Sequence, residues 1–254
     1  MGEIVAQSFF YVDYAARPWA HIEFGKIIVP FGDTRRFHHF YGGVQGYKAT
    51  GVMFPNLWAE SGANIRWSVG PTELETYWVD SIQDDSTTAD PSLQSSVEPR
   101  TLQAGGFRWS AEALEKVHVI FSGYRGEYQP GKAVEIGGLD AYSDYGAFGF
   151  SKFRWAAGIA NAWIHQGVLT GDFQKRGDYL ELATSALGPG ESRFRFGTYI
   201  DNDKEKSQKD VHSFNLAYSL PVDALRVLAE YQWNFEAKDE KNNDVFRIMV
   251  SVDF

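Results

Sequence analysis

The sequence contains no cysteine. Disulfides, thiolate-bound zinc and iron–sulfur chemistry are therefore excluded. No run of about 18 apolar residues is present, so no segment reads as a membrane-crossing helix. A charged opening followed by an apolar stretch, the mark of a secretion signal, is also missing from the start of the chain. Basic residues are outnumbered, 24 Lys and Arg against 33 Asp and Glu, for a net charge of −9. Phosphate binding needs concentrated Lys and Arg, so a nucleic-acid partner is excluded.

Aromatic residues are abundant instead: 19 Phe, 13 Tyr and 8 Trp make up 16% of 254 residues, at a mean hydropathy of −0.33. They recur at every second position. In Val245–Phe254, Phe246, Ile248, Val250, Val252 and Phe254 share one face, while Arg247, Ser251 and Asp253 share the other. Such a period of two specifies a strand. The same alternation separates Val227, Ala229, Tyr231, Trp233 and Phe235 from Arg226, Glu230, Gln232 and Asn234. It separates Phe194, Phe196 and Ile200 from Arg193, Arg195 and Tyr199, and Ala63, Ile65, Trp67 and Val69 from Asn64, Arg66 and Ser68.

Extended along the chain, this reading predicts thirteen strands, near 4–14, 19–29, 57–69, 73–82, 101–110, 116–126, 141–150, 154–165, 178–187, 192–200, 211–220, 225–236 and 245–254. Short turns (15–18, 70–72, 111–115, 151–153, 188–191, 221–224) alternate with long polar segments (30–56, 83–100, 127–140, 166–177, 201–210, 237–244). Long loops on one rim and short turns on the other describe a transmembrane antiparallel β-barrel. A soluble β-sandwich is the alternative, but strands near ten residues suit a tilted crossing of the hydrocarbon layer. Aromatics placed near strand ends, among them Trp19, Trp67, Trp78, Trp109, Phe150, Trp155, Tyr179 and Trp233, read as interfacial girdles. The all-β reading is a barrel of about 12 to 14 strands forming a single domain over 1–254. Thirteen strands would leave the first and last running the same way, so an N-terminal strand or strands are expected to be absent, or 4–14 to lie outside the wall.

The terminal VFRIMVSVDF, with its final Phe254, resembles the closing strand of outer-membrane porins. The segment QSFFYVDYAARPWAHIEFGKIIVPFG is similar to the strand, turn, strand and G-K-x-x-x-P-F-G stretch of the phosphate-selective and general porin group. The resemblance implies a bacterial outer-membrane location, a lipid surround and passage of small hydrophilic solutes or ions. It also makes the longest loop, 30–56, the best candidate for an inward-folding constriction, with an external loop packed on its own aromatics (Phe31, Phe37, Phe40, Tyr41 and Tyr47) as the alternative. In that loop stand Arg35, Arg36, His38, His39 and Lys48, a set that would favour anions. Acidic Asp84, Asp85, Asp90 and Glu98 in 83–100 oppose that preference, so no ion is assigned. The oligomeric state is left open between monomer and trimer, since porins are commonly trimers while narrow barrels of this size are often monomers, and no interface stripe is visible.

By alternation the lumen receives Arg66, Arg108, Arg193, Arg195, Arg226 and Arg247, with Asp13, Glu23, Glu60, Glu181, Glu230 and Asp253 as acidic counterparts. Facing rows of opposite charge create a transverse field; pairing between neighbouring strands is the competing role. His118 and Ser122 share a face but stand about 13 Å apart, too far for proton transfer, so no catalytic residue is assigned. His21, His165 and His212 lack metal-ligand spacing, and no nucleotide-binding motif or cofactor site is read. The expectation is a non-enzymatic, porin-like channel. A plugged or structural barrel holding a partner in an envelope complex, and a barrel acylhydrolase, are the alternatives.

Overall fold

The computed structural model describes residues 10–33, 59–80, 103–129, 131–165, 171–200, 203–204, 211–222, 225–236 and 244–252. Its strands are β1 (Phe10–Arg17), β2 (Ala20–Ile28), β3 (Ala59–Val69), β4 (Thr72–Asp80), β5 (Gln103–Leu114), β6 (Val117–Gln129) and β7 (Lys132–Ser143). They continue as β8 (Phe153–His165), β9 (Phe173–Thr184), β10 (Glu191–Ile200), β11 (Val211–Val222), β12 (Leu225–Glu236) and β13 (Val245–Val252). All thirteen form one antiparallel sheet in chain order, so every connection is a hairpin between spatial neighbours. Among the described residues no ladder joins β1 to β13, which run in the same direction.

Period-two alternation decides which face each residue takes. On β9, Leu180 and Leu182 are exposed while Tyr179, Glu181 and Ala183 are buried. On β10, Phe196 is exposed and Arg193, Arg195 and Tyr199 are buried. Trp78, Phe107, Phe121, Leu139, Phe214, Phe235, Phe246 and Ile248 continue the outward apolar band. Large rings outside and arginine inside invert the soluble arrangement, and they are what a wall facing lipid requires.

Most hairpin links follow the expected pattern, but one does not. The segment 127–140, read from sequence as a long loop, is the end of β6, which runs to Gln129, and most of β7, which begins at Lys132. Gly131 takes φ 74° there, a left-handed conformation suited to glycine. The predicted strand 141–150 accordingly stops at Ser143, and 144–152 is a turn containing a short 3₁₀ segment, Ala147–Gly149. The sequence misleads because Gly137–Gly138 breaks the apolar rhythm of the true strand, while Tyr145, Phe148 and Phe150 add aromatics beyond it. Phe150 consequently lies in the turn, outside any strand. Tyr179 is a second correction. It belongs to no girdle, because it sits mid-strand on the inner face at 9% exposure.

The outward face generates a direct test. Leu180→Arg places a charge on the lipid side and is expected to lower unfolding stability in lipid vesicles by about 2–4 kcal/mol. Urea titration measures it, and an effect indistinguishable from the parent would mean that Leu180 does not meet hydrocarbon.

Candidate functional site

The interior is built from two charged networks and the first residues of the loop after β2. On β1–β5, Asn64 donates from Nδ2 to Glu23 Oε2 at 3.1 Å and to Glu75 Oε2 at 3.0 Å. Arg66 reaches Glu23 at 3.5 Å and Asp13 at 3.5 Å, and His21 Nδ1 lies 3.0 Å from Asp13. Arg108 is 6% exposed and places NH1 3.0 Å from Glu75 Oε1 and 3.1 Å from Glu73 Oε1. A guanidinium buried this deeply persists only because its donors are occupied.

Its remaining Nε donates to the carbonyl of Gly32 at 2.8 Å. The Gly32 amide in turn donates to Ser122 Oγ on β6 at 2.8 Å. Val29, Phe31 and Asp33 around it are all buried, with Phe31 seated against Gly138 of β7. The chain leaving β2 therefore turns into the barrel and is fastened to β5, β6 and β7. This is the described beginning of the loop for which the sequence left an inward and an external course open.

The second network lies on β7–β10. Tyr179 Oη donates to Asp140 Oδ1 at 2.8 Å, and the Arg195 guanidinium stacks on the Tyr179 ring at 4.6 Å. Gly158 of β8 permits this crossing, since a Cβ there would fall 2.2 Å from Asp140 and 2.5 Å from the tyrosine. Arg195 pairs with Glu181 at 3.2 Å, and Arg154 spans Glu181 at 3.7 Å and Glu191 at 2.8 Å. Arg193 Nε donates to Glu191 as well. At the short-turn rim, Tyr145 Oη donates to Glu191 at 2.6 Å. Burial and that carboxylate push the Tyr145 phenol up to about 12.

Beyond Arg195 the same row continues through Asn215 and Gln232, register partners on β11 and β12 that are 1% and 0% exposed. Gln232 Nε2 donates to Asn234 Oδ1 at 2.6 Å. Above these networks, toward the long-loop rim, the interior is apolar: Ile27, Tyr77, Val79, Tyr124, Val134, Ile136, Ile164 and Tyr199 cluster with Phe31.

Arg66, Arg108, Arg193, Arg195, Arg226 and Glu230 all occupy inner-face positions, as do Asp13, Glu23, Glu60 and Glu181. They differ from the expected solvated lining in burial: Arg193, Arg195 and Glu230 are 3%, 2% and 1% exposed, held in the wall's own contacts. Arg247 lies on β13 at the register position opposite Glu230. Arg35, Arg36, His38, His39 and Lys48, the acidic residues of 83–100, and Asp253 lie outside the described residues. His118 and Ser122 share the inner face, but His118 pairs with Asp144 at 3.2 Å and stacks on Tyr142, while Ser122 is engaged by Gly32. Among the described residues no group of three or more His, Cys, Asp or Glu is placed to hold a metal ion. Sequence reasoning put Asn64 and Gln232 on the polar face without a role, and missed Gly32, Glu75, Asp140 and Asn215. Parity with the arginines was the available signal for Asn64, Asn215 and Gln232; for Gly32 and Asp140 there was none.

No family model matches the sequence, and no curated protein does. Solved structures do match. An anion-selective porin from Comamonas acidovorans, 10% identical, aligns over 87% of this chain and 65% of its own with a TM-score of 0.59. Outer-membrane OmpT of Vibrio cholerae, 9% identical, aligns over 86% and 67% with a TM-score of 0.54. A porin refined at 1.8 Å, 12% identical, aligns over 77% and 62% with a TM-score of 0.55. The fold is thus that of an outer-membrane, porin-like β-barrel; identity this low carries the architecture and no particular porin group.

Two outcomes follow from the networks. Arg108→Met leaves Glu75 buried without its cation, an expected loss of about 3–5 kcal/mol that Arg108→Met with Glu75→Leu restores in part, because the Gly32 carbonyl still lacks its donor and Asn64 loses an acceptor. Urea unfolding of both variants decides it, since an equal loss in the double variant would show that the pair's charge is not the cause. Tyr145, raised in the fold above its ordinary 10.0, contributes stability below that pH and loses it as pH climbs through about 12. Ultraviolet titration of the parent against Tyr145→Phe should show one phenol ionising late, and coincident curves would refute this.

Proposed function

We propose that the chain forms a non-enzymatic channel in the bacterial outer membrane, passing small hydrophilic solutes or ions by diffusion. The observation that carries this reading is the inversion of the wall, apolar side chains outward and paired charges inward, with the chain after β2 drawn into the enclosed space. A segment fixed at Gly32 narrows the bore, and the loop that it opens carries Arg35, Arg36, His38, His39 and Lys48, the basic set to which this reading assigns the ion preference. Arg66, Arg108, Arg193, Arg195, Arg226, Glu230 and Arg247 then act chiefly as the charged framework whose residual field biases ion passage. Ser122 spends its hydroxyl oxygen as an acceptor for Gly32, which speaks against the acylhydrolase reading.

The apolar cluster about Phe31, Tyr77 and Tyr124 favours a second reading, a barrel whose interior is occupied and which serves as a structural component of the envelope. Planar-bilayer recording separates the two. Discrete channels are expected from the purified protein, and their absence would install the occupied-barrel reading. In a salt gradient, Arg35→Gln with Arg36→Gln should move the reversal potential toward cation preference. An unchanged potential would remove the loop from the conduction path.

A further inference from the structure

At the short-turn rim the apolar surface runs on past the ends of the strands. The β7–β8 turn, 144–152, carries Phe148 and Phe150, and the β9–β10 turn carries Leu187; each of these side chains is 63% exposed. The turn is held from several directions. Tyr145 is bonded to Glu191, and Asp144 to His118 and, through its amide, to the Lys116 carbonyl. The Ser185 amide donates to the Lys152 carbonyl and ties the two turns together. Phe148 stands at φ 52°, ψ 24°, a left-handed conformation rare for a bulky side chain. Gly146 and Gly149 in the same turn also take positive φ, without that penalty. A ring is thus kept where glycine would relax the backbone.

The wall above this turn is short of apolar height. The outward residues of β8 are Phe153, Trp155, Ala157 and Ile159, followed by polar Asn161. From Phe153 to Ile159 is about 20 Å along the strand. At a tilt of about 40° that gives about 15 Å of the roughly 25 Å that an apolar band spans. On β9, Leu180 and Leu182 are followed by Asp178, which pairs with Arg176 at 3.4 Å. On β7, Leu139 and Ala141 are followed by Gly137 and Glu135. Toward the turn, the two outward hydroxyls are buried and occupied: Ser143 accepts the Trp155 amide and Thr184 the Ala186 amide. No exposed polar side chain on these three strands interrupts the band between Leu139, Ile159 or Leu180 and the turns.

We propose that the 144–152 turn is a membrane foot: Phe148 and Phe150, with Leu187 of the adjoining turn, enter the bilayer leaflet on the short-turn side and supply the apolar height that β7–β9 lack. Continuity identifies lipid as the occupant. The Phe153 amide donates to the Phe150 carbonyl at 3.2 Å, and Phe153 already belongs to the outward band. Strand-end girdles stop where strands stop, whereas this patch lies beyond them. Without it the bilayer would have to thin, or the barrel tilt, around β7–β9. The foot requires a barrel standing in a bilayer and is indifferent to whether its bore conducts.

Because the chain has no cysteine, a nitroxide label can be attached at one chosen position. Phe148→Cys, Phe150→Cys, Leu187→Cys and the mid-wall control Leu180→Cys are labelled and folded into dioleoyl phosphatidylcholine vesicles. Circular dichroism verifies each fold, and a turn variant that fails it leaves the decision to the other two. Electron paramagnetic resonance then compares collisions with oxygen, which concentrates in hydrocarbon, and with nickel–EDDA, which stays in water. Oxygen should prevail severalfold at 148, 150 and 187, as at 180. Nickel prevailing at the folded turn variants, with oxygen still prevailing at 180, would overturn the foot and leave the barrel in its membrane. Few collisions with either reagent, together with dipolar broadening that vanishes on dilution with unlabelled protein, would overturn it in favour of a second copy. Nickel prevailing at 180 would remove the lipid-facing wall and the foot with it.

Discussion

A charge on the inner face of this wall has packed side chains beside it and lipid behind it, so it must find an opposite charge or a hydrogen-bond partner within the barrel. Most of the interior follows from that requirement. Glu181, Arg195, Asn215 and Gln232 occupy one continuous row across β9–β12 because each strand enters register with its polar parity facing inward. Slipping any strand by a single residue would turn its arginine or glutamate toward hydrocarbon and its phenylalanine or leucine toward the networks. Register in this sheet is thereby enforced from both sides.

The Gly32 junction extends the rule to the backbone. A peptide unit brought inside the barrel loses water at both its N–H and its C=O, and here each group is claimed by a different strand, Ser122 on β6 and Arg108 on β5. Arg108 is thus shared between the wall's own carboxylates and the entering chain. The electrostatics of β4–β5 and the placement of Gly32 are consequently one arrangement, and Arg108 cannot be replaced without also releasing the Gly32 carbonyl.

How much of this the sequence disclosed depended on the kind of information involved. Facing was local and therefore legible: the parities of β3, β10, β12 and β13 place Arg66, Arg193, Arg195, Arg226 and Arg247 on the inner side from alternation alone. Element limits were legible where apolar residues hold the rhythm and failed at β7, where Gly137 and Gly138 interrupt it, so that Asp140 was assigned to a loop and its bond to Tyr179 could not be foreseen. Partnership was not local. That Asn64 bridges Glu23 and Glu75, or that Ser122 receives an amide from residue 32, depends on register summed over several hairpins, and no spacing in one strand encodes it. Tyr179 shows the same limit from the other direction. Its ring suited a girdle until the neighbouring glycine on β8 made room for it to cross the inner face.

The clasp at Gly32 joins positions 76 and 90 residues apart in the chain. It has nothing to fasten to until β5 and β6 have paired, and closing so wide a loop is costly until intervening hairpins have shortened it. During assembly the segment must therefore remain outside while five or six strands zip together, and it can be threaded inward only afterwards. The last contacts to form on the β2 side of the barrel are then those that hold the entering chain at Gly32.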